Sequence, residues 1–225
     1  TYVTQLRTGA SSGAAFDLLA KKECKKGAMI GTGGQAATQL EAMLAARKLD
    51  EVKIYDLNAE RCQAFAEQMQ KELADYGAKI IAAENSDACI EDADLIITVT
   101  PSAKPVFDGT KVKAGATISC VGTYEPHKHE MDPAILPRAS KIICDSKEAA
   151  LSETGDLLIP IKDGIISEKD ILGSLGDVIN GTIKGRENDD EIIVYETVGV
   201  AAQDLVAAKV IYDKALEAGK GMNWG

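Results

Sequence analysis

The stretch Gly27-Ala28-Met29-Ile30-Gly31-Thr32-Gly33-Gly34-Gln35-Ala36 decides the fold. An apolar run of strand length, Gly27 to Ile30, ends on glycines spaced GxGxxA, and Ala36, Ala37, Leu40, Met43 and Leu44 then recur at helical spacing. In such a strand-turn-helix unit Gly31 permits the tight turn and Gly33 lets a pyrophosphate approach the backbone, while Ala36 allows the helix to pack closely on the strand. The helix would aim its free N–H groups and positive dipole end at the phosphates.

Outward from this turn, apolar β-rich runs alternate with amphipathic stretches. Strands are expected at Val52 to Tyr55, Lys79 to Ala82, Leu95 to Val99, Ala116 to Val121 and Lys141 to Cys144. Cys62, Phe65, Ala66, Met69 and Leu73 mark a second crossover helix, and Asp132-Pro133 an N-cap with proline at the first helical position. The pattern predicts an α/β fold with a doubly wound parallel sheet of Rossmann type. Two end segments fall outside the repeat. Residues 10–22 read as a small-residue helix, and Ala201, Leu205, Ala208, Tyr212 and Ala215 as a long closing helix after a strand at Ile192 to Tyr195. The expected division is residues 23–192 as dinucleotide domain, with 1–22 and 193–225 as part of a discontinuous second domain. The stretch Gly155 to Asp190 predicts only a short helix or two, one capped by Ser167. The start Thr1-Tyr2-Val3 lacks methionine and is strand-like, which suits a fragment of a longer chain; the tail with Trp224 carries no motif.

Asp56 closes the second strand, where a carboxylate accepts from the adenosine ribose hydroxyls; this favours NAD. Leu57 follows it rather than an arginine for a 2′-phosphate, though Arg61 is near enough that NADP is not excluded. The competing reading of Asp56 is a strand-end turn aspartate. Thr100, at the end of the fourth strand in Thr98-Val99-Thr100-Pro101-Ser102, reads equally as cofactor contact and as turn cap before proline. His127 and His129 flank Lys128 without a third ligand in view, so they read as loop histidines and no metal is expected.

With 35 acidic against 25 basic side chains, the net charge of -10 repels phosphate backbones and anionic lipid, so neither nucleic acid nor membrane is an expected partner. No stretch reaches the roughly 20 apolar residues of a membrane span. The five scattered cysteines suit a reducing compartment, and cytoplasm is expected.

Five motifs in order, Arg7-Thr8-Gly9-Ala10, the GTGGQA turn, TVTPS, Val121-Gly122 with Pro126-x-Lys128-x-Glu130, and Thr197-Val198-Gly199-x-Ala201-x-x-Asp204, resemble those of the ornithine cyclodeaminase/mu-crystallin family across nearly the whole chain. The resemblance implies a Rossmann domain plus a substrate and dimerisation domain built from both chain ends, hence a homodimer. It implies cofactor positions at Arg7, Thr8, Gly34, Gln35, Asp56, Thr100, the Cys120 to Thr123 turn (Val121, Gly122, Thr123), Lys128 and Thr197. Val198 would line the substrate side, and Arg7 would hold the substrate carboxylate, for which a guanidinium fork is suited. Arg7 and Lys128 are the expected catalytic positions.

Two departures shape the expected activity. Where cyclodeaminases of this family carry a catalytic aspartate, this chain has Tyr124, which removes a proton acceptor. The family's upstream segment, with its substrate-binding arginine and catalytic lysine, lies outside this sequence. The expectation is hydride transfer between NAD(H) and an amino or imino acid, for example reduction of a ketimine such as pyrroline-2-carboxylate. The alternatives are cyclodeamination of ornithine to proline and a crystallin-like dinucleotide binder with little turnover.

Overall fold

Strands buried on both faces must form a sheet covered by helices on each side, and the apolar runs do so. The computed structural model describes residues 2–222; Thr1 of the expected strand-like start and Trp224 of the tail lie outside the described residues. Helix α1 (Tyr2–Leu19) precedes β1 (Lys26–Ile30), α2 (Ala36–Ala46), β2 (Glu51–Tyr55), α3 (Ala59–Glu72), β3 (Lys79–Ala82), α4 (Ser86–Ile90) and β4 (Leu95–Thr98). Then come β5 (Thr117–Cys120), β6 (Lys141–Cys144), α5 (Lys147–Glu153), α6 (Gly155–Lys162), β7 (Ile171–Ser174), α7 (Leu175–Ile179), β8 (Ile193–Glu196) and α8 (Ala201–Glu217).

All eight strands form one sheet in the order β3-β2-β1-β4-β5-β8-β6-β7, every neighbouring pair parallel. The chain winds one way from β1 to β3 and the other way from β4, so the loops after β1 and β4 diverge and open a crevice at the C-terminal ends of those strands. Side chains alternate between two cores: Met29, Leu95 and Ile97 join Phe16, Leu40 and Met43 on one face, while Ala28, Ile30 and Ile96 join Ile118, Ile135 and Val194 on the other.

Several expectations are corrected. Tyr2 and Val3 open a helix, not a strand; two apolar residues cannot reveal a period, whereas Thr8, Ser11, Ser12, Ala15, Phe16 and Leu19 bury one helical face. The helix expected over 10–22 therefore begins earlier and stops at Leu19. Its small residues let α1 lie close on α2, since a Cβ at Gly9 would stand 2.7 Å from the carbonyl oxygen of Thr38. Within α2, Ala37 faces solvent and Gln39 takes the buried place. The strand expected at Ile192 to Tyr195 is β8, seated inside the sheet between β5 and β6. Ser167 caps no helix and only closes a turn with Asp170; the Gly155 to Asp190 stretch instead carries α6, β7 and α7, the last opened by a reciprocal Ser174–Asp177 capping box. The Asp132 N-cap holds, though the helix it starts, Pro133–Arg138, is 3-10. The closing helix is found where expected, as α8, and its apolar stripe is exposed, Leu205 by 73% and Tyr212 by 60%.

Candidate dinucleotide and substrate site

The crevice begins at the glycine turn. Gly31 has φ +108°, and a Cβ there would lie 2.5 Å from the carbonyl oxygen of Val99, so the end of β4 requires glycine at the end of β1. At Gly33 a Cβ would meet nothing within 4 Å, and Gly33 and Gly34 are exposed. Gln35, at the N-cap of α2, makes no side-chain cap, and Ala36 N donates to the carbonyl of Gly33 at 3.0 Å. The arrangement fits a pyrophosphate: a helix N-terminus without a side-chain cap, reached across a glycine where a Cβ would meet nothing within 4 Å. From α1, Gln5 Nε2 donates to the carbonyl of Gly34 at 2.6 Å and ties that helix to the turn.

Asp56, at the end of β2, is 7% exposed and heavily engaged. It accepts from Thr32 N at 3.0 Å, Thr32 Oγ1 at 2.7 Å and Asn58 N at 2.9 Å, and Arg61 Nη2 reaches both its oxygens at 2.7 and 2.8 Å. Burial opposes its charge, but the donors of Asn58, Thr32 and Arg61 outweigh that and hold the carboxyl below its ordinary range. Asp56 thus braces the turn from the end of β2. The Arg61 side chain is 59% exposed above it.

On the other side of the crevice, Thr100 donates through N and Oγ1 to Glu130 Oε2, at 2.7 and 2.8 Å. Val121 N and Gly122 N donate to Glu130 Oε1 at 3.2 and 2.6 Å. Thr123 is buried and its hydroxyl is unpartnered among the described residues, whereas Tyr124 is 65% exposed. Lys128 is ion-paired with Glu125, and His127 Nε2 lies 3.5 Å from the same carboxylate. The two histidines gather no metal set: among the described residues no group of three His, Cys, Asp or Glu could hold an ion.

A cleft of about 680 Å³ opens between α1, α7 and α8, with Arg7, Ser11, Asp145, Tyr195 and Gln203 at its polar end. Thr8 does not reach outward; its hydroxyl donates to the carbonyl of Thr4 within the helix. Arg7 lies against Gly199, which at φ +95° leaves no room for a side chain beneath the guanidinium. Nη1 donates to Gln203 Oε1 at 3.4 Å, and Nε stands 3.5 Å from Asp204 Oδ1, near enough for an ion pair but with no hydrogen bond at Nε. A side chain with 14% exposure and only long partners keeps its fork available. Beside it, Asp145 Oδ2 accepts from Thr197 Oγ1 and Gly199 N, both at 2.7 Å, which fixes the Thr197-Val198-Gly199 bend.

Sequence reasoning quoted Glu130 within a motif without giving it a task, and passed over Asp145, Asp156 and Glu196. Only Asp145 and Glu196 stand beside apolar strands, Asp145 after Cys144 of β6 and Glu196 at the end of β8, and nothing in that placement shows that the carboxyl of Glu196 meets those of Glu130 and Asp156. Asp156 Oδ1 accepts from Glu130 N at 2.8 Å and Met131 N at 2.7 Å; burial and then the charge of Glu130 push its carboxyl up to about 7. An acid whose folded pKa lies above its unfolded value stabilises the fold below the unfolded pKa and loses that contribution as pH rises towards 7. The melting temperature is therefore expected to fall between pH 5 and pH 8. In Asp156→Asn, which keeps the accepting oxygen and cannot ionise, the slope should flatten and stability at pH 8 should rise; thermal scans at several pH values would reveal an unchanged slope if Asp156 were not responsible.

An eight-stranded parallel sheet with a glycine turn at its switch point defines a dinucleotide-binding α/β protein. Within that class the chain belongs to the ornithine cyclodeaminase/mu-crystallin family, whose model matches residues 1–219. It is 39% identical over 221 residues, 98% of this chain and 67% of its relative, to a Δ1-pyrroline-2-carboxylate reductase of Bacillus cereus. The structure of the Δ1-pyrroline-2-carboxylate reductase of Thermococcus litoralis, in complex with NADH and L-proline, superposes with a TM-score of 0.94 at 38% identity, covering 100% of this chain and 68% of that one. An archaeal alanine dehydrogenase dimer with bound NAD superposes with a TM-score of 0.88 at 36% identity, covering 100% and 68%.

Proposed function

We propose that this chain is an NAD(H)-dependent oxidoreductase acting at the α-carbon of an imino or amino acid, and that its reaction is the reduction of a cyclic ketimine such as pyrroline-2-carboxylate. The observation that carries the reading is the likeness, over the full chain, to a reductase holding NADH and L-proline. The site fits that coenzyme: the turn at Gly31, Gly33 and Gly34 and the start of α2 at Gln35 and Ala36 receive the pyrophosphate, and Asp56 receives the adenosine ribose. On the far side of the switch point, Thr100, Val121, Gly122 and Thr123 would hold the nicotinamide end, with Lys128 and Thr197 bordering it. When bound, NADH supplies a hydride to the imine carbon. Arg7 holds the substrate carboxylate and Val198 lines the same side. Tyr124, lacking an acceptor carboxylate, supports reduction over cyclodeamination.

The meeting of α1 and α8 through Arg7, Gln203 and Asp204 supports the assignment of residues 1–22 and 193–225 to a shared substrate and dimerisation unit, with 23–192 as the dinucleotide domain. The exposed apolar face of α8, with Leu205, Val206 and Leu216, supports a homodimer. No helix among the described residues is long and apolar enough to cross a membrane, and all five cysteines are free and buried; both agree with a cytoplasmic setting.

The test follows absorbance of NADH with full-length protein and pyrroline- or piperideine-2-carboxylate, alongside ornithine plus NAD with an ammonia assay. NADH loss with the imine supports the reading; ammonia and proline from ornithine without net NADH would replace it by cyclodeamination, and binding without turnover by the crystallin-like role. Coenzyme choice gives a second expectation. Arg61 covers the ribose-binding carboxylate, so NADPH should be accepted to a measurable degree, and Arg61→Ala should lower kcat/KM for NADPH by about tenfold, as for loss of one charged hydrogen bond, with NADH changed much less. Equal effects on both coenzymes would show that Arg61 does not read the 2′ position.

A further inference from the structure

We propose that Glu130 is a positioning residue for hydride transfer: its buried carboxylate binds the ends of β4 and β5 together and fixes the backbone on which the nicotinamide end of the coenzyme rests. The inference depends on the oxidoreductase reading for the identity of the coenzyme.

The ladder of the sheet explains why a carboxylate is needed there. Val99 N donates to Ile30 O and Val121 N to Thr98 O, the last rungs joining β1, β4 and β5. One step further the donors of Thr100 and Gly122 have no neighbouring strand to meet, and both are turned to Glu130. Oε2 takes the N–H and O–H of Thr100; Oε1 takes the N–H groups of Val121 and Gly122. Each oxygen therefore serves one strand end, and the side chain as a whole acts as an extra rung. The two ends are already at closest approach, because any side chain at Gly122 would collide with the backbone of Thr100.

The placement of the coenzyme puts this rung beneath the reacting half. With Asp56 on β2 on the adenosine side and Gly31 to Gly33 at the pyrophosphate, as the functional reading has them, the residues across the switch point that would hold the other half of the dinucleotide are those at the ends of β4 and β5. Glu130 is fully buried and cannot touch it; it acts through Thr100 and Gly122.

Every partner of the Glu130 carboxylate is a donor, which suits the ionised form. The neighbouring acids differ. Burial raises all three carboxyls, Glu130 included, but the donors of Thr100, Val121 and Gly122 converge on Glu130 while Asp156 Oδ2 and Glu196 Oε2 have no partner among the described residues, so the donor geometry favours the charge on Glu130. Asp156 also grips the peptide of Glu130 and Met131, while Val106 N donates to Glu130 O at 2.9 Å. The residue is thus held from behind as firmly as it holds the loops in front.

Glu130→Gln would keep the shape but present an amide NH2 to one of the two strand ends, opposing donor to donor. In the full-length protein the expected result is NADH affinity lowered by about tenfold or more, with a lower kcat and a larger primary isotope effect with deuterated NADH, while the KM for the imino acid at saturating NADH moves little. Thr100→Val, which deletes only the hydroxyl contact, should shift the same quantities in the same direction by a smaller factor and decides the matter if Glu130→Gln does not fold. A purely structural role would lower the melting temperature and the fraction of active molecules but leave NADH affinity and the isotope effect at wild-type values; that outcome overturns the proposal. Failure of the wild-type protein to bind NADH would instead overturn the functional reading on which it rests.

Discussion

Replacement of Arg7 by alanine is expected to lower kcat/KM for the imino acid by two to three orders of magnitude, with NADH affinity changed only a few-fold. Losing one partner of a partly desolvated charge pair costs about 3–5 kcal/mol, and each ~1.4 kcal/mol is a factor of ten. The fork of Arg7 has 14% exposure and long contacts to Gln203 and Asp204, so it is neither fully solvated nor already saturated. Arg7→Lys should recover only part of the loss, because an ammonium keeps the charge but not the paired, coplanar donors. The rival account is that Arg7 merely fastens α1 to α8 over Gly199. Steady-state kinetics with and without added guanidinium separate the two. Rescue of turnover by free guanidinium would place the carboxylate at this point, whereas a lowered melting temperature with unchanged kcat/KM per folded molecule would leave Arg7 a fastener.

What was legible from sequence was whatever repeats locally. The strands around the glycine turn and the two crossover helices announce themselves because a strand buried on both faces is apolar throughout and a covering helix must be apolar every third or fourth residue. Strand β7 escaped because Ile171-Leu172-Gly173-Ser174 offers two apolar residues and a glycine, too short a run to carry a period, and it pairs with β6 through an irregular register. Periodicity locates a helix but not its cover: the spacing from Ala201 to Ala215 gives α8 its place, while the exposure of its apolar stripe is visible only in the fold. The site was legible where chemistry resides in contiguous motifs and silent where it resides in distance. Glu130, Asp156 and Glu196 stand far apart in sequence, and only the parallel sheet brings their carboxyls to one place behind β4 and β5. Arg61 was noted as near Asp56, yet one turn of α3 is needed to see that it caps both carboxylate oxygens.

The glycine turn yields a paired result in which the same substitution has opposite meanings two residues apart. Gly31→Ala must place a Cβ against the carbonyl of Val99 with φ at +108°, so it should destabilise the protein itself, by about 2–5 kcal/mol from strain and overpacking together, before any coenzyme is present. Gly33→Ala meets nothing within 4 Å and needs no left-handed backbone, so the melting temperature of the coenzyme-free protein should stay within a degree or two of wild type. Yet the added methyl would stand where the pyrophosphate approaches the backbone, and NADH affinity should fall by about ten- to a hundredfold, the cost of ~1.4–2.7 kcal/mol of lost contact and steric displacement. Thermal melts without coenzyme and fluorescence titration with NADH on the two variants distinguish a glycine kept for the fold from one kept for the ligand. Wild-type NADH affinity in Gly33→Ala would mean that the dinucleotide does not lie across the start of α2, and the placement of its reacting half over β4 and β5 would fall with it.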